Sequence, residues 1–241
     1  MPGSHEFERY ARDGALVLGG AAAILLQVAD PVVARGVAAH SSFSDDPMRR
    51  LRHTLQYVYS VMVGTPVQEE TAGAHVDHAH AGVPGATDPD HQLWVAATLY
   101  RVGIDTHELL YGPLPAALAD EIYAASARLG TALQVPEHLW PVDRAAFDRY
   151  WMDAVATLEV GDDARAVARD LLNPNRIPIW VRAGMPLGRT LTAGLLPASL
   201  RDAYGLPWHP RTFRRAVQVA RLAARVSPRR LRELPSRRLL G

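Results

Sequence analysis

The chain has 241 residues, enough for one sizeable core, and its 48% apolar and 21% charged content excludes both a fibrous and a largely disordered chain. It contains no cysteine, which removes disulfides, thiolate zinc sites, iron–sulfur clusters and a cysteine nucleophile. All 26 basic residues are arginine, so neither a Schiff-base lysine nor a phosphate-loop lysine is available; net charge is +1, with +9 beyond residue 210 and −8 before it.

In chain order, MPGSHEFERYARDG lacks a basic region leading into an apolar run, so no secretion signal is read and a cytoplasmic protein is expected. The longest apolar stretch, 14–29, falls short of the ~20 residues a membrane-spanning helix needs. Leu18-Gly19-Gly20 within it is a poor nucleotide-binding signal, because that fingerprint requires a preceding strand and a third spaced glycine. Helical spacing dominates and no alternating run reads as a strand, which predicts an all-α fold in a single multi-helix domain over 1–241. The predicted helices are 14–28, 31–40, 46–63, 66–80, 89–111, 115–129, 145–157, 162–171, 197–203 and 208–225.

Local punctuation sets several of these boundaries. Ser44-Asp45-Asp46-Pro47 supplies a cap and a first-turn proline, Gly64-Thr65-Pro66 ends one helix and starts the next, and Asp88-Pro89 opens the apolar helix expected to run through the core. Asp30 before Pro31 reads as another cap. With three prolines and two glycines, 172–190 predicts an irregular segment wrapping the helical body. The last predicted helix is basic and amphipathic, with Phe213, Val217, Ala220 and Ala224 on one face and arginines on the other. Such a helix suits either a packed terminus or peripheral contact with an anionic membrane. Its lack of interleaved aromatics argues against nucleic acid.

The stretch HVDHAH places His75, His78 and His80 within six residues. His75 and His78 share a helix face, whereas His80 joins them only if the helix ends there, as Gly82, Pro84 and Gly85 suggest. Spacing alone leaves three readings: a polar helix end favoured by the negative dipole terminus, a non-haem metal site at Asp77, His78 and His80, or a single ligand with two neighbours. The pairs Asp77/His80 and Asp88/His91 each put a carboxylate and an imidazole one turn apart. Arg50 and Thr54 are likewise one turn apart, so a guanidinium and a hydroxyl can face one pocket.

The ordered succession LLQVADPVVARGVAAHSSF at 25–43, DPMRRLRHTLQYVYSVMVGT at 46–65, HAGVPG at 80–85, LWVAATL at 93–99, YGPLP at 111–115 and LRDAYGLPW at 200–208 resembles the MpaB-like oxygenase family, which includes latex clearing protein, the rubber oxygenase. That resemblance implies an all-α fold binding one haem b, an iron cofactor. By motif, it makes His80 the proximal ligand and Arg50 and Thr54 the distal pair, with dioxygen and an apolar, unsaturated small molecule as reactants. Arg50 would then stabilise charge on oxygen or on a haem propionate, and Thr54 would orient dioxygen or water. Asp77 is near enough in sequence to hold the second nitrogen of His80. The chain departs from the family pattern at three places. His53 stands where rubber oxygenases carry a lysine, and is a candidate proton donor by position. Asp30 and Ala96 stand where family members often carry histidines. Two other readings remain at this level: a haem-free helical module binding an apolar ligand, and the non-haem metal enzyme.

Overall fold

The computed structural model describes residues 3–40, 47–174, 177 and 179–241. The cap expected at Ser44-Asp45-Asp46 and the matching stretch at 41–43 lie outside the described residues.

The fold is all-α, and no strand occurs among the described residues. A short helix α1 (His5–Ala11), capped by Ser4, precedes a 3-10 turn over Gly14–Gly19 and then α2 (Gly20–Gln27). The single helix predicted over 14–28 is therefore split. The Asp13 carboxylate caps the first turn at the Ala15 amide, 3.0 Å. Gly19 sits so close to the next layer that a Cβ there would come within 2.2 Å of Thr106 Oγ1. α3 (Pro31–His40) follows, with α4 (Pro47–Val63), α5 (Pro66–His80) and the long α6 (Pro89–Tyr111). Their ends obey the sequence punctuation. At α5 the Thr65 hydroxyl accepts from the Gln68 amide, while the Gln68 side chain accepts from the Thr65 N–H at 2.8 Å, a reciprocal capping box. At α6 the Asp88 carboxylate accepts from the amides of Asp90 and His91.

The second half contains α7 (Ala116–Ser126), α8 (Arg128–Thr131), α9 (Arg144–Thr157), α10 (Asp162–Leu172), α11 (Ile179–Leu195), α12 (Ala198–Ala203), α13 (Pro210–Val226), α14 (Arg229–Arg232) and α15 (Leu234–Leu240). α11 corrects the expectation of an irregular 172–190. It is helical through an exposed Pro186, because Leu191 and Leu187 are drawn into a small apolar cluster with Leu110, Ala216, Val217 and Ala220. Burial of that stripe outweighs the backbone hydrogen bond the proline cannot make.

The main core surrounds α6. Leu93, Trp94, Ala96, Ala97 and Tyr100 meet α2 on one side, and on the other an aromatic group centred on Phe147, which is 1% exposed. Tyr100 stands edge-on to Phe147 with ring centroids 4.7 Å apart, and Trp94 stacks on Trp151 at 5.2 Å. The buried polar tips find backbone acceptors: Trp94 Nε1 donates to the Leu26 carbonyl at 3.1 Å, and the Tyr204 hydroxyl donates to that of Leu25 at 2.6 Å. Tyr204 belongs to the LRDAYGLPW stretch, whose Arg201 lies 4.2 Å above the Trp208 ring. That motif thus fastens α12 to α2. Among the described residues no single helix is long and apolar enough to cross a membrane; the bent pair Gly14–Gln27 and Pro31–Ala39 turns through 109°.

Candidate functional site

Between α3, α4, α5 and the start of α6 lies a cavity of about 690 Å³, within the usual range for small-molecule and cofactor sites. Its walls are mostly apolar, with Val33 and Val37 from α3, Val76 from α5, Val95 and Leu99 from α6, and Leu133. Into this surface project Arg50, His53 and Thr54 from α4, His75 and His80 from α5, and His91 from α6. The four residues expected at a haem site, Arg50, His53, Thr54 and His80, therefore line one space, whereas Asp77 of the alternative metal site does not. His78 is exposed and does not line it.

His80 ends α5 because the chain turns sharply after it. Gly82 and Gly85 both have positive φ, 85° and 78°, conformations that disfavour any side chain. Successive turns carry the chain to α6: Val83 N–H donates to the His80 carbonyl at 2.9 Å and Ala86 N–H to that of Val83 at 3.1 Å. A Cβ on Gly85 would also approach Val32 Cγ1 to 2.4 Å. The HAGVPG stretch is thus a tight corner pressed against α3.

The Nδ1 atom of His80 is buried and has no hydrogen-bond partner. Burial holds the imidazole below its ordinary range; Asp77 opposes that effect and the positive charge of Arg50 adds to it. A histidine kept neutral with an unmatched ring nitrogen is a poor core residue and a competent ligand. Burial lowers the Arg50 guanidinium too, although such a group stays cationic in proteins. The rings of His53 and His75 meet edge-on, with centroids 5.2 Å apart.

Asp77 does not hold His80. Its Oδ1 accepts from Gln134 Nε2 at 2.8 Å, Gln134 N–H donates to Gln92 Oε1 at 2.9 Å, and Gln92 Nε2 donates to the Ala86 carbonyl at 2.9 Å. This polar chain pins α5, the corner and α6 together beside His80. The non-haem metal arrangement is not formed either. Asp77 is engaged by Gln134, Asp88 caps α6, His78 is exposed, and no three His, Asp or Glu side chains among the described residues are grouped to hold a metal ion.

Asp30 acts as the sequence predicts and does more. One oxygen caps α3, accepting from Val32 N–H at 2.7 Å and Val33 N–H at 3.1 Å, while the other lies 3.2 Å from Nδ1 of His91, a cavity residue. A carboxylate so anchored fixes the orientation of the imidazole. This Asp30/His91 pair escapes sequence reasoning because its members lie 61 positions apart on different helices. Ala96, by contrast, is 1% exposed and absent from the cavity wall; in this chain the position belongs to core packing.

A family model described as "ER-bound oxygenase mpaB/B'/Rubber oxygenase, catalytic domain" matches residues 8–226. Two curated relatives, an uncharacterized protein of Mycobacterium bovis and one of Mycobacterium tuberculosis, are each 37% identical over 227 residues. The match covers 87% of this chain and 89% of each relative. No solved structure matches.

Proposed function

Because the chain belongs to the family of the mpaB/B' and rubber oxygenase catalytic domain, we propose that its cavity binds haem b through His80 and oxidises an apolar, unsaturated small molecule with dioxygen. The observation that carries this reading is the convergence of Arg50, His53, Thr54 and His80 on one mainly apolar cavity, with a buried nitrogen of His80 left without a protein partner.

The residues fit such a group. His80, held neutral by burial, offers a lone pair to iron. Haem, when bound, supplies the one-electron and dioxygen chemistry that no side chain here can perform. Arg50 brings a permanent positive charge to the α4 wall, where it suits a carboxylate or developing negative charge on oxygen. Thr54, one turn away, can donate or accept a hydrogen bond and so orient dioxygen or water. His53, edge-on to His75, is the candidate proton donor. The valine and leucine walls exclude water and favour a hydrocarbon substrate. The reaction class is oxidative cleavage or oxygenation at an unsaturated carbon.

The visible spectrum tests this directly. Purified protein supplied with haem should develop a Soret band that His80→Ala abolishes while its far-ultraviolet circular dichroism is kept. A wild-type chain that stays spectrally blank, yet binds an apolar dye in the cavity, would replace the oxygenase with a helical binding module.

A further inference from the structure

The last helix of the chain reaches back to the cavity. Leu239, from α15, lines it alongside Val67, Gln68 and Thr71 at the start of α5. Val67 is 70% exposed, so this end of the cavity opens at the surface. α15 itself packs along α4.

Its attachment is specific. Gln68, whose side-chain oxygen closes the capping box of α5, donates its Nε2 to the Leu240 carbonyl. One carboxamide therefore caps α5 with its acceptor and holds the end of α15 with its donor. Further back, Arg232 donates to Asp13 Oδ2 at 2.8 Å, and the buried Glu233 is paired with Arg229 and Arg237. All of α14 and α15 lies beyond residues 8–226, the span that the family model matches.

We infer that Leu239 is a specificity-determining residue: delivered by α15 to the cavity mouth, it limits the length of the apolar substrate the cavity accepts. This rests on the reading of the cavity as the substrate site. The substrate class is a linear hydrocarbon chain entering past α5, because the mouth offers Val67, Leu239 and the methyl of Thr71, with Gln68 already engaged by Thr65 and Leu240, and no charged side chain lies beside them among the lining groups.

The test measures how a series of straight-chain primary alcohols of increasing length displaces anilinonaphthalene sulfonate from the full chain. In the wild type, affinity should rise about fourfold per methylene, the equivalent of ~0.8 kcal/mol each, and then level off. Leu239→Ala should move that plateau to longer alcohols and Leu239→Trp to shorter ones. Gln68→Glu keeps the acceptor for the Thr65 N–H and removes the donor to Leu240. It should shift the plateau as Leu239→Ala does and quicken tryptic cleavage after Arg237 and Arg238, with the melting temperature kept. A plateau at the same length in all three variants, or a wild type that binds none of the alcohols, overturns the inference. The Soret band separates this result from the haem reading. Plateau shifts in a protein that takes up no haem would sink the oxygenase and leave Leu239 in its role. A normal Soret band with an unmoved plateau would do the reverse.

Discussion

Two half-buried imidazoles, each with a buried Nδ1, make the molecule sensitive to mild acid. His107 on α6 packs between the rings of Tyr10 and Tyr111, at 5.3 and 5.0 Å, with its Nδ1 buried and unpartnered. Burial pushes it below the ordinary imidazole range, against the opposite pull of Asp13 and Glu108. Such a group binds its proton more readily unfolded than folded, so its contribution to stability is complete above the unfolded value near 6.5 and fades as pH falls toward the lower folded value. Thermal melts between pH 7.5 and pH 5.5 should therefore show a declining melting temperature that His107→Phe flattens; an unchanged slope in the variant would mean that His107 titrates normally. His80 has the same sign for the same first cause. Of the residues around the cavity, Arg50, His53, Thr54 and His80 were accessible from the linear chain because a motif resemblance marked them. His91 was marked only as a neighbour of Asp88, not as the partner of Asp30, and Gln92 and Gln134 were not marked at all. Their significance is purely spatial, since each meets a partner about 40 to 60 positions away and neither glutamine carries a chemical signature.

Among the helices, those with side-chain caps fell close to their predicted ends: α5 and α6 start at the prolines after Thr65 and Asp88. The capped α1 was not predicted and the helix expected over 115–129 breaks at Ala127; other misses come from proline read without its tertiary setting. α11 contains Pro186 in its interior, and α14 and α15 are short helices introduced by Pro228 and interrupted near Pro235, which local composition marks as coil. In α11 the packing of Leu191 and Leu187 against α13 and Leu110 decides the matter. Since Pro186 is exposed, its replacement should lose no contact of consequence. Pro186→Ala is expected to stabilise the chain by about 2 kcal/mol, the ~3 kcal/mol cost of an interior proline less the ~1 kcal/mol by which proline restricts the unfolded chain. Urea denaturation measures this, and a variant no more stable than the parent would mean that the proline's rigidity outweighs its missing donor.

Across the whole molecule, charge is divided: formally −8 up to residue 210 and +9 beyond it. α13 buries Ala216, Val217, Ala220 and Ala224, and turns Val219, Leu222 and Val226 outward on the opposite face among arginines. Two copies meeting through this face would set like charges together, whereas an anionic bilayer would meet both features, at ~1 kcal/mol per arginine near the surface. The chain should cosediment with phosphatidylglycerol-containing vesicles at low salt and not with pure phosphatidylcholine. Leu222→Glu combined with Val226→Glu should weaken that binding by about tenfold or more. Equal partition onto neutral vesicles, or none onto either, would remove the membrane from the account. A different consequence follows from the Asp77–Gln134–Gln92 relay beneath the corner after His80. Both of its linking groups are carboxamides, which neither take up nor release protons. From Gln134 through Gln92 to the Ala86 carbonyl the joint therefore holds with no ionic contribution, so the corner carrying His80 is set by neutral groups.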